Sequence, residues 1–382
     1  MHVALVHRDL HQLTRGGICT VYRNLAERLA SRGVQVTMIT QDTLHPVQLP
    51  GVSVRSLPRT DDLSTHRRAV TELLTAIEPD VVECSTWEAE LLTYLQLDRN
   101  RRAPVLVRGE FSAATLSASD LARDELDLVR LADDVVAVSA FAARDLATAY
   151  GISTPKVILN GIDRSRFHPG PVRPPTSGYR ITLDGSGRPV TRTALRGLFD
   201  AGAPLPPWKS DPSGRKHLLW VGKITPMKGW DRLESTIRAL RDIATVTVLL
   251  GHSPAYSALT IDTDRDVTVL QDLEDDDLPG LYRAADWLLS TSRWEGFGLA
   301  IAEAIACGTP ALLPEGLGTA AELLEADGGA TYRDPADIAA HLANGPPRPV
   351  RLPDHFDWHV NADDTMATYR DLIAAGQPCA SC

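Results

Sequence analysis

The chain is 382 residues long and has no run approaching the ~20 apolar residues that span a bilayer. Its N-terminal apolar run, within MHVALVHRDL, is too short for a signal peptide, so a soluble, cytoplasmic protein is expected. Cysteine is sparse. Cys19, Cys84, Cys307, Cys379 and Cys382 are odd in number and scattered, which argues against a disulfide framework and suits a reducing compartment. Cys379 and Cys382 form a CxxC on the tail, but with no second pair or nearby histidine cluster zinc and redox chemistry are disfavoured. Positive charge is also short: 39 Lys+Arg against 49 Asp+Glu give a net charge of −10. The basic clusters Arg99–Arg102 and Arg67–Arg68 carry no interleaved aromatics and read as solvated helix ends, so nucleic acid is not an expected partner. The acidic runs Asp61-Asp62, Asp133-Asp134 and Asp275–Asp277 fall at turns or a helix start, where acids cap the dipole; no metal is expected. The dinucleotide fingerprint GxGxxG is missing, against a simple NAD or FAD enzyme.

What is present is an ordinary globular composition, 43% hydrophobic and 23% charged, at a length that suits two domains. Short apolar runs alternate with amphipathic stretches. Strands are expected at His2–His7, Val34–Thr40, Val81–Cys84, Val105–Arg108, Val135–Val138 and Val157–Leu159. Helices are expected over Thr20–Arg32, Arg67–Ile77, Trp87–Leu97, Leu121–Leu131 and Ala140–Tyr150. Strands separated by helices imply a parallel sheet covered on both faces, here a doubly wound domain over residues 1–167. Residues 168–216 are rich in Pro, Gly and Ser and read as a linker plus insertion, with a hairpin around Asp184-Gly185-Ser186-Gly187. The alternation restarts at His217–Val221 and runs over 217–359 as a second doubly wound domain. A last amphipathic helix, 360–376, is positioned to pack back on the first domain. The fold class is therefore α/β, two Rossmann-like halves, with ligands expected at the carboxyl ends of the strands and in a cleft between the halves.

Three turns carry candidate chemistry. Arg15-Gly16-Gly17 opens the first helix; paired glycines there either admit an anion to the backbone amides or supply a positive φ for a tight turn. Gly222-Lys223-Ile224-Thr225-Pro226-Met227-Lys228-Gly229 places two lysines after a strand, in a chain with few lysines. The pair suits a diphosphate, and the alternative is two surface lysines. EGFGLAIAEAIACGTP sets Glu295 on a loop and Glu303 about two turns along the next helix, two carboxylates suited to a polyhydroxylated ligand. The alternative is a solvated Glu295 and a salt-bridged Glu303. His7, His11 and His252 are loop or strand-end histidines without a compelling role.

Together EGFGLAIAEAIACGTP, VGKITPMKG and the N-terminal RGG resemble retaining family-4 glycosyltransferases of the two-Rossmann-domain (GT-B) fold. Asn160-Gly161-Ile162-Asp163 with Phe167, Ser139, and Leu281-Tyr282-Arg283-Ala284-Ala285-Asp286 leading to Ser290-Thr291-Ser292 match in the same order. The resemblance covers most of the chain outside the insertion. It implies a metal-independent hexosyltransferase-type enzyme using a nucleotide sugar, UDP by family preference, as co-substrate and no bound cofactor. Glu295 would then meet donor sugar hydroxyls and Glu303 the ribose. Gly222, Gly296, Phe297, Gly298 and Leu299 would line the donor, with Lys223 and Lys228 on the diphosphate and Gly16 and Gly17 beside the phosphate or acceptor. Lys223 stands where the family usually has arginine. The turn Arg108-Gly109-Glu110 lacks the histidine many relatives carry. Glu83, Trp87, Glu88 and Glu110 would instead face a small, polar acceptor, either a polyol or an aminated cyclitol or sugar, with Glu110 near the reacting centre; Glu88 pointing to solvent is the alternative. The competing readings are a non-hydrolysing nucleotide-sugar epimerase and a non-catalytic nucleotide-sugar-binding protein.

Overall fold

The computed structural model describes residues 1–10, 16–43, 46–184, 187–196, 214–251, 267–346 and 349–376. Arg15, His11, His252, Cys379 and Cys382 lie outside the described residues, as do Gly185, Ser186 and residues 197–213 of the insertion. The chain forms two units, Met1–Gly161 with His355–Cys382, and Ile162–Asp354.

In the first unit, strands β1 (His2–Val6), β2 (Gln35–Gln41), β3 (Ser53–Leu57), β4 (Val81–Ser85), β5 (Val105–Gly109), β6 (Asp134–Ala137) and β7 (Lys156–Val157) make one parallel sheet. Their order is β3-β2-β1-β4-β5-β6-β7, so the winding reverses between β1 and β4. Helices α1 (Gly17–Ser31), α2 (Leu63–Ile77), α3 (Leu92–Leu95), α4 (Ser119–Leu131) and α5 (Ala140–Tyr150) connect the strands. The near-continuous apolar strands are those of a sheet buried on both faces. Helix α1 buries Cys19, Tyr22, Leu25, Ala26 and Leu29 at helical spacing. Each large apolar side chain buried this way contributes about 1.5–3 kcal/mol.

The C-terminal helix Trp358–Gly376 belongs to this unit. It buries Ala362 and Tyr369 in the same core, and Arg32 Nε holds Asp363 Oδ1 at 2.8 Å. Its entry needs a glycine at 161, because a Cβ there would lie 2.0 Å from the Trp358 backbone nitrogen.

In the second unit the strands are β8 (Tyr179–Leu183), β9 (Pro189–Ala194), β10 (Lys216–Gly222), β11 (Ala244–Leu250), β12 (Val267–Gln271), β13 (Trp287–Leu289), β14 (Ala311–Pro314) and β15 (Gly329–Tyr332). They are ordered β15-β14-β13-β10-β11-β12-β8-β9. Helices α6 (Trp230–Leu240), α7 (Leu278–Ala284), α8 (Leu299–Ala306), α9 (Ala320–Leu323) and α10 (Pro335–Asn344) accompany them. From β10 to β15 the pairing is parallel, and the winding reverses between β10 and β13.

The described part of the 168–216 segment is not a detached linker. Its hairpin adds β8 and β9 antiparallel to the edge strand β12. Gly187 donates to the Asp184 carbonyl at 2.9 Å across the turn. Arg192 stacks 3.6 Å over the Tyr179 ring and pairs with Asp272, which fastens the hairpin.

Other boundaries also differ from expectation. Helix α1 starts at Gly17 rather than near Thr20. The helix expected over Trp87–Leu97 is broken, because Glu88 and Ala89 take left-handed backbone angles (φ 61° and 49°). Strand β3 carries no strand signal in the sequence because its residues are mostly exposed at a sheet edge, where hydrophobic patterning is weak. Among the described residues no helix is long and apolar enough to cross a membrane.

Candidate functional site

In an open α/β sheet the ligand crevice lies at the carboxyl ends of the strands where the winding reverses. In the second unit those strands are β10 and β13, and the segments that follow them carry VGKITPMKG and EGFG. The structure bridges the two: Lys228 Nζ lies 2.6 Å from Glu295 Oε1, and Ser292 Oγ donates to the same oxygen at 2.7 Å. Glu295 is thus neither solvated nor unpaired, and the two residues expected to share a ligand already meet.

Packing fixes this geometry. Trp220 Nε1 donates to Thr291 Oγ1, which itself donates to the Lys228 carbonyl at 2.9 Å. Gly229 has φ 65°, and a Cβ there would come within 1.9 Å of the Thr291 carbonyl oxygen, so only glycine lets the two loops touch. The Arg293 guanidinium holds both Asp231 oxygens (2.8 and 2.6 Å) and the Pro226 carbonyl, tying the second loop to the start of α6. This clamp was missed in the sequence, where Arg293 and Asp231 have no local pattern to mark them.

Glu303 sits one turn into α8, not two, because the helix starts at Leu299. The Tyr282 hydroxyl donates to its Oε2 at 2.7 Å, which gives this carboxylate a phenol as a polar partner. Phe297 is buried, Gly296 and Gly298 are buried beside it, and Leu299 is half-buried. Lys223 is exposed just past β10, and Gly222 lies against the Trp220 ring.

Helix N-termini show a further contrast. Asp62, Ser139 and Asp334 side chains cap α2, α5 and α10. The helices that follow β1, β10 and β13 start on glycine, at Gly16, Gly229 and Gly298, and like α3, α4, α7 and α9 have no side-chain cap. Uncapped amides and the helix dipole favour an anion there. At Gly16 the reason is not backbone strain: its φ is −96°, and Gly17 is not among the positive-φ residues. Among the described residues a Cβ on Gly17 would meet nothing within 4 Å.

The first unit corrects one expected acceptor residue. Glu83 lies within β4 and is fully buried. Its Oε1 accepts from Arg108 Nε at 2.7 Å, and its Oε2 from the Tyr369 hydroxyl at 2.5 Å. Arg108 Nη2 also donates to Thr365 at 3.0 Å. The inward-facing side of a central strand turns Glu83 into the anchor of the C-terminal helix, out of an acceptor's reach. The remaining candidates keep a position past the strand ends. Trp87 is exposed, Glu110 is half-buried, and Glu88 Oε2 meets Arg8 Nε at 3.1 Å rather than solvent alone. Burial pushes the Glu88 carboxyl above its ordinary value, with Arg8 opposing.

Beside these, a buried chain that sequence reading missed spans the β1–β4 reversal: Cys19, His7, Glu90 and His66. Glu90 Oε2 lies 2.7 Å from His66 Nε2, and Glu90 Oε1 lies 3.5 Å from His7 Nδ1. Burial disfavours a charged His7, but Cys19 and Glu90 outweigh it and raise the imidazole to about 10. Burial also opposes the Glu90 carboxylate, yet His66 and His7 hold it down to about 2.

The two shifts link to stability with opposite signs. The His7 contribution is complete below 6.5 and is lost as pH rises through about 10. The Glu90 contribution is complete above 4.5 and is lost as pH falls through about 2. The Tm advantage of wild type over Glu90→Gln is therefore expected to peak between pH 4.5 and 6.5 and shrink on both sides. Thermal unfolding of both proteins across pH checks this, and a pH-independent difference contradicts it.

Two doubly wound sheets, with glycine-started helices at their reversal points, define a glycosyltransferase of the GT-B class. The profile of Glycosyltransferase Family 4 matches residues 15–166 and that of Glycosyl transferases group 1 matches 207–343, and the chain belongs to the family-4 glycosyltransferases. It is 28% identical over 409 residues to the D-inositol 3-phosphate glycosyltransferase of Mycolicibacterium smegmatis, covering 93% of this chain and 86% of that one. The protein of the same name from Kribbella flavida is 28% identical over 424 residues, covering 93% and 90%. Among solved structures it is similar to sucrose-phosphate synthase from Thermosynechococcus elongatus, with a TM-score of 0.74, 18% identity and coverage of 98% and 99%. Anabaena HepE in complex with UDP-glucose gives a TM-score of 0.63 at 17% identity, covering 98% of both chains.

Proposed function

We propose that the protein transfers a sugar from a nucleoside-diphosphate sugar, with UDP as the nucleotide, to a hydroxyl of a small polyol, with retained anomeric configuration. The observation that carries this reading is the Lys228–Glu295 pair at the β10–β13 reversal, between the uncapped starts of α6 and α8. An arriving diphosphate competes for the Lys228 ammonium, which frees the Glu295 carboxylate for sugar hydroxyls. Lys223 and the amides of Gly298 and Leu299 complete the anion site, and Glu303, oriented by Tyr282, takes the ribose hydroxyls. The donor's charge is then met by lysines and backbone dipoles, with no metal or cofactor invoked.

Retention needs no protein nucleophile. The bond from the anomeric carbon to phosphate oxygen breaks, and the acceptor oxygen bonds to that carbon on the same face. The acceptor proton passes to the departing diphosphate, whose growing charge Lys228 and Lys223 stabilise. The acceptor belongs to the first unit, beside Trp87, Glu88 and Glu110, with Gly16 and Gly17 adjoining. A cyclitol acceptor is supported by the relatives named for D-inositol 3-phosphate. An aminated acceptor loses its main support with Glu83 committed to Arg108.

A donor panel with free and phosphorylated inositols tests the reading. Sugar transfer with equimolar nucleoside-diphosphate release, and NMR coupling of an unchanged anomeric configuration, is the expected result. Isomerised nucleotide sugar formed without an acceptor would favour the epimerase, and an inverted product would remove the retaining mechanism.

A further inference from the structure

We infer that Cys19 is a modification site, a thiol activated by His7 and open to small electrophiles of the thiosulfonate and disulfide class. Cys19 Sγ lies 3.4 Å from His7 Nε2, and His7 Nδ1 faces Glu90 Oε1 at 3.5 Å. The other Glu90 oxygen is 2.7 Å from His66 Nε2, and Gln41 Nε2 lies 3.1 Å from His66 Nδ1. A nucleophile hydrogen-bonded to an imidazole, and a carboxylate ion-paired behind that imidazole, thus stand in succession, the arrangement that activates thiols. Four separate stretches contribute to it: the start of α1, the end of β1, the segment after β4, and α2. The tertiary fold therefore builds the group.

The sulfur is on the third residue of α1, where the helix dipole favours an anion. Burial opposes the thiolate there. The hydrogen bond and charge of His7, then Arg23 and the Gly16 amide, nonetheless bring the Cys19 thiol below its ordinary value. The Asp9 carbonyl, 3.3 Å away, accepts from the neutral thiol, so either state has a partner. At the other described cysteines burial prevails, pushing Cys84 well up and Cys307 to about 12.

Access follows from the glycines. A Cβ at Gly16 would stand 3.6 Å from Cys19 Sγ, and one at Gly17 would meet nothing within 4 Å. Neither Gly16 nor Gly17 places a side chain of its own against the sulfur. Cys19 is 4% exposed, which restricts the site to small reagents. The inference does not depend on glycosyl transfer.

Methyl methanethiosulfonate is a suitable probe. The Cys19 thiolate attacks its sulfenyl sulfur, a methyl disulfide forms on Cys19, the reagent's S–S bond breaks, and methanesulfinate leaves with the electron pair. The thiol proton passes to solvent while His7 keeps its own. A brief pulse on the native wild-type protein, quenched in acid and mapped by peptide mass, reads each cysteine separately. Cys19 is expected to label at least about tenfold faster than Cys84 or Cys307, and His7→Asn to slow Cys19 about tenfold without changing the other two. Labelling of Cys19 no faster than Cys84 and Cys307 in the wild type overturns the inference. So does a His7→Asn protein, folded by circular dichroism, that labels Cys19 at the wild-type rate.

Discussion

Lys228→Ala is expected to lower turnover by about 10²–10³-fold, the effect of removing one preorganised electrostatic contact from a transition state. Lys228 Nζ pairs with Glu295 at 2.6 Å, and it sits at the strand ends where a diphosphate leaving group would develop charge. Its side chain is 22% exposed and Glu295 retains its Ser292 bond, so folding should lose about 1–3 kcal/mol, the cost of taking one partner from a mostly buried carboxylate. Steady-state kinetics with the best donor and acceptor, beside a thermal melt, separate the two effects. Turnover within about twofold of wild type would remove Lys228 from the reaction.

The second large effect is on stability. Glu83→Leu should destabilise the first unit by about 3–5 kcal/mol, because it strands Arg108 in the core without its carboxylate. Arg108 and Glu83 are both essentially inaccessible, and Tyr369 of the C-terminal helix loses its acceptor at the same time. Burial beside Glu83 already raises the Tyr369 phenol well above its ordinary value. Pairing Glu83→Leu with Arg108→Met replaces both charges with apolar groups of similar size and should recover most of the loss. Chemical denaturation of the single and double variants measures this. A single variant within about 0.5 kcal/mol of wild type would show that the pair does not hold the helix.

The second unit's candidate site is legible in the sequence because its residues are local. Lys223, Lys228, Glu295 and Glu303 lie in two short segments, each directly after a strand, and the winding brings those segments together. Apolar runs such as Val3–Val6 and Ala244–Leu250 identify themselves as buried parallel strands by composition alone. The first unit was less legible for the opposite reason. Glu83 reads as a polar residue near a strand end, and only its partners, 25 and 286 residues away, reveal its structural role. Cys19, His7, Glu90 and His66 form one chain in space, yet nothing in their spacing announces it. Glu88 and Ala89 break an otherwise convincing helical pattern through backbone angles that propensity does not anticipate. The hairpin of β8 and β9 carried a turn signal, but its docking on β12 depends on a distant edge.

The net charge of −10 argues against polyanions as partners, yet the proposed donor is itself an anion, met by a local concentration of lysines and helix starts. The most direct test of that placement is calorimetric titration of UDP into three proteins: wild type, Lys228→Ala, and the Glu83→Leu/Arg108→Met double variant. Losing one charge-assisted contact of about 1.5–3 kcal/mol should weaken UDP binding to Lys228→Ala by roughly 10- to 100-fold. The double variant, altered only in the first unit's core, should bind as wild type does. Equal affinity in wild type and Lys228→Ala would contradict a donor site at the β10–β13 reversal.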